Sequence, residues 1–322
     1  MTTTAMKRMH GKPKVKKKSK ATPVIPMAFG RHETFHIRDG WLAKAIDAIS
    51  ADTKNLHKID AHHSLGVGTN MLKAIRYWVE AAGLAETQGK RADERKMRLS
   101  PIGESIKKHD PYMDHDGTWW VVHAGLARNK ALATTLYWLF NHGPSSRFQL
   151  EDLEQSLTEF VSITPRPPFA NTLRRDLQCL IRTYVGREQV GRRAGDVDPI
   201  GCPLGSLGLL RSSEHQGEFQ LTSTSRPTLN PHVFMAVLTN FIRTSDESAR
   251  ISTTEEVRWG AASPGRIFGM SSEAISEMID RCQVVFGEAA VTEIRTAGLS
   301  NIQLGSTDAE KYLNDYFEGL TC

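Results

Sequence analysis

Apolar residues return at helical spacing along much of this chain. The clearest run is Thr69 to Ala82, where Met71, Ile75, Trp78, Val79 and Ala82 share one side. Thr69, Asn70, Lys73, Arg76 and Tyr77 are left for the other side. Leu65-Gly66-Val67-Gly68 before the run reads as a tight turn, and Gly83-Leu84 after it as a C-cap with its hydrophobic follower. A basic, amide-bearing helix entered through a short glycine turn has the form of the second helix of a helix-turn-helix. Lys96-Met97-Arg98-Leu99 then reads as a short strand and Ser100-Pro101-Ile102-Gly103-Glu104 as a helix start, which together predict a winged helix. An ordinary amphipathic helix with solvated cations remains the alternative.

The order helix, short element, hairpin recurs. Phe148 to Phe160 is amphipathic, Pro165 to Pro168 breaks the chain, and Asn171-Thr172 is placed to cap a helix running to Tyr184. Leu173, Leu177, Leu180 and Tyr184 form its apolar stripe, leaving Arg174, Arg175, Gln178 and Arg182 outside as a second phosphate-facing set. Pro203 to Leu210 and Glu218 to Leu221 supply short elements, and Pro231 to Ile242 a helix; Gly186 to Gly201, with Arg187, Arg192 and Arg193, reads as an exposed basic loop. In the last third, Ser271-Ser272-Glu273 starts a helix to Val285. Two alternating segments, Val291 to Arg295 and Asn301 to Leu304, read as paired strands, and Asp308 to Phe317 closes as a helix. Between the modules, Thr118 to Asn141 holds clustered aromatics split by Arg128-Asn129-Lys130. Two helices facing each other across a turn fit it, with the aromatics building a core rather than stacking on bases. The expected fold is mainly α with short β-hairpins, as tandem winged-helix-like units around a helical hub. Its parts are a disordered Lys-rich arm (1–28), a DNA-binding unit (29–110), the hub (111–145), a second unit (146–245) and a helix-hairpin-helix unit (246–322).

Charge alters this picture in one place. Eight of the 41 Lys and Arg residues lie within residues 1–20, which hold no acidic residue, so the rest of the chain carries 33 basic against 36 acidic residues. The excess cation belongs to the arm, which adds phosphate contacts or solubility without reading sequence. No apolar run approaches the roughly 20 residues of a membrane span, so the expected place is the cytoplasm. Cys179, Cys202, Cys282 and Cys322 are far apart, which argues against a zinc ribbon or a disulfide framework.

The densest chemistry lies in Phe29 to Trp41. On an extended segment Glu33, Phe35 and Ile37 would face one way and His32, Thr34, His36 and Arg38 the other, placing two imidazoles beside a guanidinium. Such a group suits a metal, a phosphate or acid–base work. The competing reading makes His32 and Glu33 pins for the first helix, with Arg38 and Asp39 a surface pair. Asp60-Ala61-His62-His63, and His109-Asp110 with Asp114-His115-Asp116, have no metal-site spacing and read as loops.

The segments GRHETFHIRDGWLAKA, LGVGTNMLKAIRYWVEAAGL, RLSPIG with DPYM, GTWWVVH with TLYWLFN, and TLRRDLQCLIRTY with PLGSLGLL resemble a bacterial domain family of unknown function. Members of that family stand beside DNA phosphorothioation and phage-defence genes, and one branch is the SspB nickase component. The likeness runs in order over about residues 29–317. Trp119-Trp120-Val121-Val122-His123 stands where the family has a Leu-Trp-Leu-Leu-His-type run, a conservative departure. The resemblance implies a DNA-acting component of such a system, nucleoid-associated, with double-stranded DNA, operon proteins and a second copy of the chain as partners. It supplies no catalytic set. For a nickase the first choice is the 32–39 cluster: His32 or His36 as base or ligand, Glu33 and Asp39 as ligands of a divalent metal (Mg or Mn), and Arg38 as phosphate clamp. A non-catalytic DNA adaptor, a transcriptional regulator and a helical protein-binding scaffold are the other classes.

Overall fold

Gly40, in the left-handed region at φ 72°, turns the chain into α1 (Trp41–Ala51), which buries Trp41, Leu42, Ala45, Ile46 and Ile49. The structure is a computed structural model describing residues 26–144, 147–185, 201–213, 217–244, 246–296 and 299–321. The Lys-rich arm up to residue 25 and most of the expected basic loop, with Arg187, Arg192 and Arg193, lie outside the described residues. After α2 (Ala61–Ser64), α3 (Thr69–Ala81) buries Leu72, Ala74, Ile75, Trp78, Val79 and Ala81. Its end is the glycine C-cap expected from the sequence: Gly83 takes φ 74° and the Leu84 N–H donates to the Val79 carbonyl at 3.0 Å.

β1 (Ala85–Gln88) and β2 (Lys96–Leu99) pair antiparallel, with Ala85 opposite Leu99 and Gln88 opposite Lys96. Ser100 then caps α4 (Pro101–His109) by accepting from the Gly103 N–H at 3.1 Å. Two glycines let helices crowd the end of α3. A Cβ on Gly103 would collide with the Leu84 carbonyl, and one on Gly125 with the Ala82 carbonyl.

The hub is α5 (Asp116–Arg128) and α6 (Thr134–His142). An α5 buried almost all round matches a helix with apolar residues on every side. Trp119, Trp120, Trp138 and Phe140 are in the core as expected, whereas Tyr112 is 76% exposed. Asp110 accepts from the Asp114 and His115 N–H groups and from Thr118 Oγ1, so its loop is a hydrogen-bonded knot.

Next in the chain come β3 (Phe148–Gln149), α7 (Leu150–Val161), α8 (Ala170–Tyr184), β4 (Leu210–Ser212), β5 (Glu218–Leu221) and α9 (Pro231–Arg243). They are followed by β6 (Ile251–Thr253), α10 (Thr254–Trp259), α11 (Pro264–Ile267), α12 (Ser272–Phe286), β7 (Val291–Thr296), β8 (Leu299–Leu304) and α13 (Ala309–Glu318). Their sheets run β3-β5-β4 and β6-β8-β7, all antiparallel. The fold is therefore mainly helical, with three small antiparallel sheets among the described residues. Two local expectations change. Phe148 joins the sheet opposite Phe219 instead of opening a helix, which lets its ring be buried. α8 begins at Ala170, with the still-extended Phe169 as N-cap, rather than at an Asn171-Thr172 cap. Among the described residues no helix is long and apolar enough to cross a membrane.

His123 ties these parts together. Its Nε2 lies 2.7 Å from the Ile267 carbonyl and so carries the proton, leaving Nδ1 to accept from the Tyr184 hydroxyl at 2.8 Å. Burial pushes its pKa down to about 4, the bond to Ile267 opposes that, and the Arg226 charge adds to it. The unfolded chain, titrating near 6.5, binds this proton more readily, so the contribution of His123 is complete above that pH and is lost as pH falls toward 4. Compared with the His123→Asn variant, the native protein should lose about 3 kcal/mol more stability between pH 7 and pH 4. Urea unfolding at fixed pH checks this, and parallel pH profiles for the two proteins would count against it.

Candidate nucleic-acid interface

The cluster between Phe29 and Trp41 folds as a turn, not as an extended segment. Gly30 has φ 68°, and two successive non-glycine residues, Glu33 at 49° and Thr34 at 68°, are also left-handed, a conformation costing of order 1–3 kcal/mol each. The surrounding bonds over-determine it. The Phe35 N–H donates to the His32 carbonyl at 2.8 Å and the Thr34 N–H to His32 Nδ1 at 3.0 Å. The ring proton therefore sits on Nε2, which donates to Asp176 Oδ1 at 2.9 Å. Asp176, on α8, also accepts from the Gly30 N–H at 2.9 Å and from Thr135 Oγ1 at 3.2 Å. The His32 ring stacks on Trp78 of α3 at 6.1 Å, and Trp78 Nε1 donates to the Phe35 carbonyl. The turn is thus wedged between α3 and α8. A cavity of about 10 Å³ lies between His32, Trp78, Thr135 and Asp176, room for a single water.

This geometry separates the five residues read as catalytic. His32 is buried with both nitrogens bonded. Glu33 turns outward to Lys73 at 3.6 Å. Arg38 lies over the rings of Phe35 and Trp41, at 5.7 and 5.4 Å. His36 is half-buried and Asp39 exposed. The even alternation expected for a strand fails because the left-handed pair at 33–34 reverses the chain. Among the described residues, no three His, Cys, Asp or Glu side chains are grouped to hold a metal ion.

On α3, Thr69 and Asn70 are exposed, and Asn70 Oδ1 accepts from Lys73 Nζ at 3.1 Å. Further along, Arg76 is half-buried with Nη1 3.2 Å from His57 Nδ1, and burial with the nearby Arg95 charge lowers its pKa. The Tyr77 hydroxyl donates to the Leu132 carbonyl, and burial raises its pKa. The open part of α3 is therefore its first turn and Lys73. On α8, Arg174 is held by Glu154 at 3.2 Å and Glu151 at 3.7 Å of α7, and Arg182 Nε donates to the Gln178 carbonyl. Arg175 is exposed and has no ion pair among the described residues.

The sequence reading did not single out two features. Asp176 is one, although it stands three residues after Leu173 and four before Leu180, on the buried stripe of its own helix. The other is a set of cations interleaved with rings. Lys130 Nζ lies 5.8 Å from the Tyr137 ring and 5.9 Å from Phe160, whose ring stacks on His142 at 5.4 Å. Trp259, 40% exposed, carries Arg258 at 4.5 Å and Arg266 at 4.8 Å. Such pairs suit single-stranded nucleic acid as well as internal cohesion.

The family described as "Protein of unknown function (DUF4007)" matches residues 29–317. The chain belongs to DUF4007. The family match starts at Phe29, next to the clamped turn, and so takes in α3 and α8 while leaving out the Lys-rich arm. Two solved structures are similar to this DUF4007 chain. A magnesium-ion-bound SspB crystal structure aligns with a TM-score of 0.80 at 25% identity, over 91% of this chain and 88% of that one. An SspB crystal structure aligns at 0.78 and 26%, over the same shares. No curated protein matches in sequence.

Removing the acceptor at the centre of the clamp leaves three buried or part-buried donors without a partner. Asp176→Ala should cost about 3 kcal/mol, whereas Asp39→Ala on the surface should stay within about 0.5 kcal/mol. In a double-mutant cycle with His32→Ala, the pair should show coupling of about 1–2 kcal/mol in urea unfolding. Additive losses would mean that the pair does not hold the turn.

Proposed function

We propose that this DUF4007 protein is the DNA-binding component of a bacterial system linked to DNA phosphorothioation and phage defence. The observation that carries the reading is the likeness to SspB over 91% of the chain at 25% identity. The geometry supports it, because the clamp sets the first turn of α3, with Thr69, Asn70 and Lys73, and the outer face of α8, with Arg175, Gln178 and Arg182, on either side of one rigid turn. Exposed amides and cations on two braced helices are what backbone-directed DNA binding needs. The exposed Arg31 of the turn adds a further charge near Tyr77. In this reading the three helix-and-sheet units act as winged-helix-like modules at residues 29–110, 146–245 and 246–322 around the hub, in the cytoplasm at the nucleoid. Operon proteins and a second copy of the chain are its further partners.

Nicking of one strand is the finer part of the proposal. Its chemistry would fall on Glu33, His36, Arg38 and Asp39 of this segment, with His32 positioning them through Asp176. One SspB structure holds magnesium. Here Asp176 is filled by three hydrogen bonds and Glu33 faces Lys73, so the described side chains do not fit a preformed metal centre and no step is routed through one. A non-catalytic adaptor on DNA is the second reading, favoured by the closed hydrogen bonding of His32.

Lys73→Ala with Arg175→Ala should weaken duplex binding and reduce the slope of log affinity against log salt by about 1.8 units, two phosphate contacts at about 0.9 each. Arg174→Ala should change less, since two carboxylates, Glu151 and Glu154, hold that cation, against the single Glu33 at 3.6 Å beside Lys73. Titrations at several salt concentrations check both, and an unaltered slope in the double variant would misplace the interface. Supercoiled plasmid with Mg or Mn should become open-circle with the native protein but not with Glu33→Ala, if the turn cuts; equal nicking by both removes the turn as the chemical site.

A further inference from the structure

Where α5 and α9 meet α4 and α13, a pocket of about 430 Å³ opens, within the size range of small-molecule sites. Its walls are aliphatic: Ile102, Val121, Ala124, Val233, Val237 and Leu313. Three polar side chains reach it, Arg128, Asn129 and Asn240. Asn129 is fully used, donating to the Ala81 carbonyl and accepting from the Leu132 N–H. The Arg128 guanidinium and the Asn240 amide make no hydrogen bond or ion pair among the described residues.

Elsewhere this fold satisfies a buried guanidinium completely. Arg226, 4% exposed, donates to the carbonyls of Phe268, Gly208, Thr222 and Gly269 and to Thr222 Oγ1. Arg128 has none of this. Burial lowers its pKa, and among the described residues it has no ion pair with a carboxylate. Half-buried beside aliphatic walls and without such a pair, this cation is placed to pair with an arriving anion.

We infer that this pocket is a binding site for a small organic anion with an aliphatic body, its carboxylate held by the Arg128 guanidinium and the Asn240 amide. The planar fork of arginine matches a carboxylate in two parallel bonds, and the Ile, Val, Ala and Leu walls take an alkyl chain. A nucleobase is a poorer occupant because no aromatic ring lines the walls to stack on it. The inference is independent of the DNA reading, since none of its residues belongs to the clamp or to the exposed faces of α3 and α8.

Sodium octanoate, octanol and octylammonium are the probes. Calorimetric titration of the full chain should show one octanoate per protein, bound at least tenfold more tightly than octanol, with octylammonium not bound. Arg128→Met should abolish the preference for octanoate over octanol while leaving the melting temperature of the unliganded protein within a few degrees. Equal affinity for octanoate and octanol in the native protein overturns the inference without any variant, as does absence of octanoate binding. Preference retained by a folded Arg128→Met protein overturns it too.

Discussion

A hydrogen-bonded pair of side chains, His32 and Asp176, 144 residues apart in the chain, determines where the candidate interface lies. The turn carrying His32 has two consecutive left-handed residues without glycine, a backbone that would relax if released. It is kept by one carboxylate that accepts from a backbone N–H on the near side, an imidazole in the middle and a hydroxyl from α6. Because the pair is buried, each of these bonds acts in a medium where leaving its partner bare is expensive. The strain and the bonds oppose each other, and the bonds prevail. The outcome is that α3 and α8, which have no reason in sequence to be neighbours, are set on either side of one short loop.

Much of the architecture was written in periodicity. The buried face of α3, its glycine cap at Gly83, the stripe of α8, the strand β2 and the hairpin β7-β8 follow from apolar spacing and turn chemistry, whereas β1 has no such signal. The strands that complete the two larger sheets, β3 and β6, did not, since two or three residues carry no alternation and their pairing comes from partners 69 to 71 and 48 to 52 positions away. In the 32–39 segment the extended geometry expected from alternation is absent. Period-two alternation assumes β-region angles, and nothing in Glu33 or Thr34, neither a residue that favours the left-handed region, announced the reversal. Asp176 was within reach of inspection, because an acidic residue in register with Leu173, Leu177 and Leu180 has to find a buried donor.

Net charge was a poor guide to the surface, and the reason is local neutralisation. Of the four polar residues on the outer face of α8, Arg174 is paired with the acidic face of α7, so cations adjacent in sequence differ in what they offer a phosphate. On α3, Arg76 sits half-sunk beside His57 while Lys73, one turn earlier, stands in solvent. The cation–π contact of Lys130 with Phe160 joins residues 30 positions apart, which no single window of sequence spans, whereas Arg258, Trp259 and Arg266 meet within one short stretch.

Among the described residues the sheets have two or three strands each, and α5 lies at the centre of the bonds that join the helices around them. A sheet of that size is marginal alone and needs packing on helices. The packing is reinforced by polar bonds that cross between segments: His123 of α5 to Tyr184 of α8 and to Ile267 of α11, and Trp120 to Thr228. Arg226 extends the same web, drawing the carbonyls of Gly208 and Thr222 and those of Phe268 and Gly269 onto one guanidinium. Bonds of this kind are worth little when exposed and much when dry, so the segments stabilise one another only while the hub excludes water. The positions of α3 and α8 therefore depend on bonds across the molecule as well as on either helix.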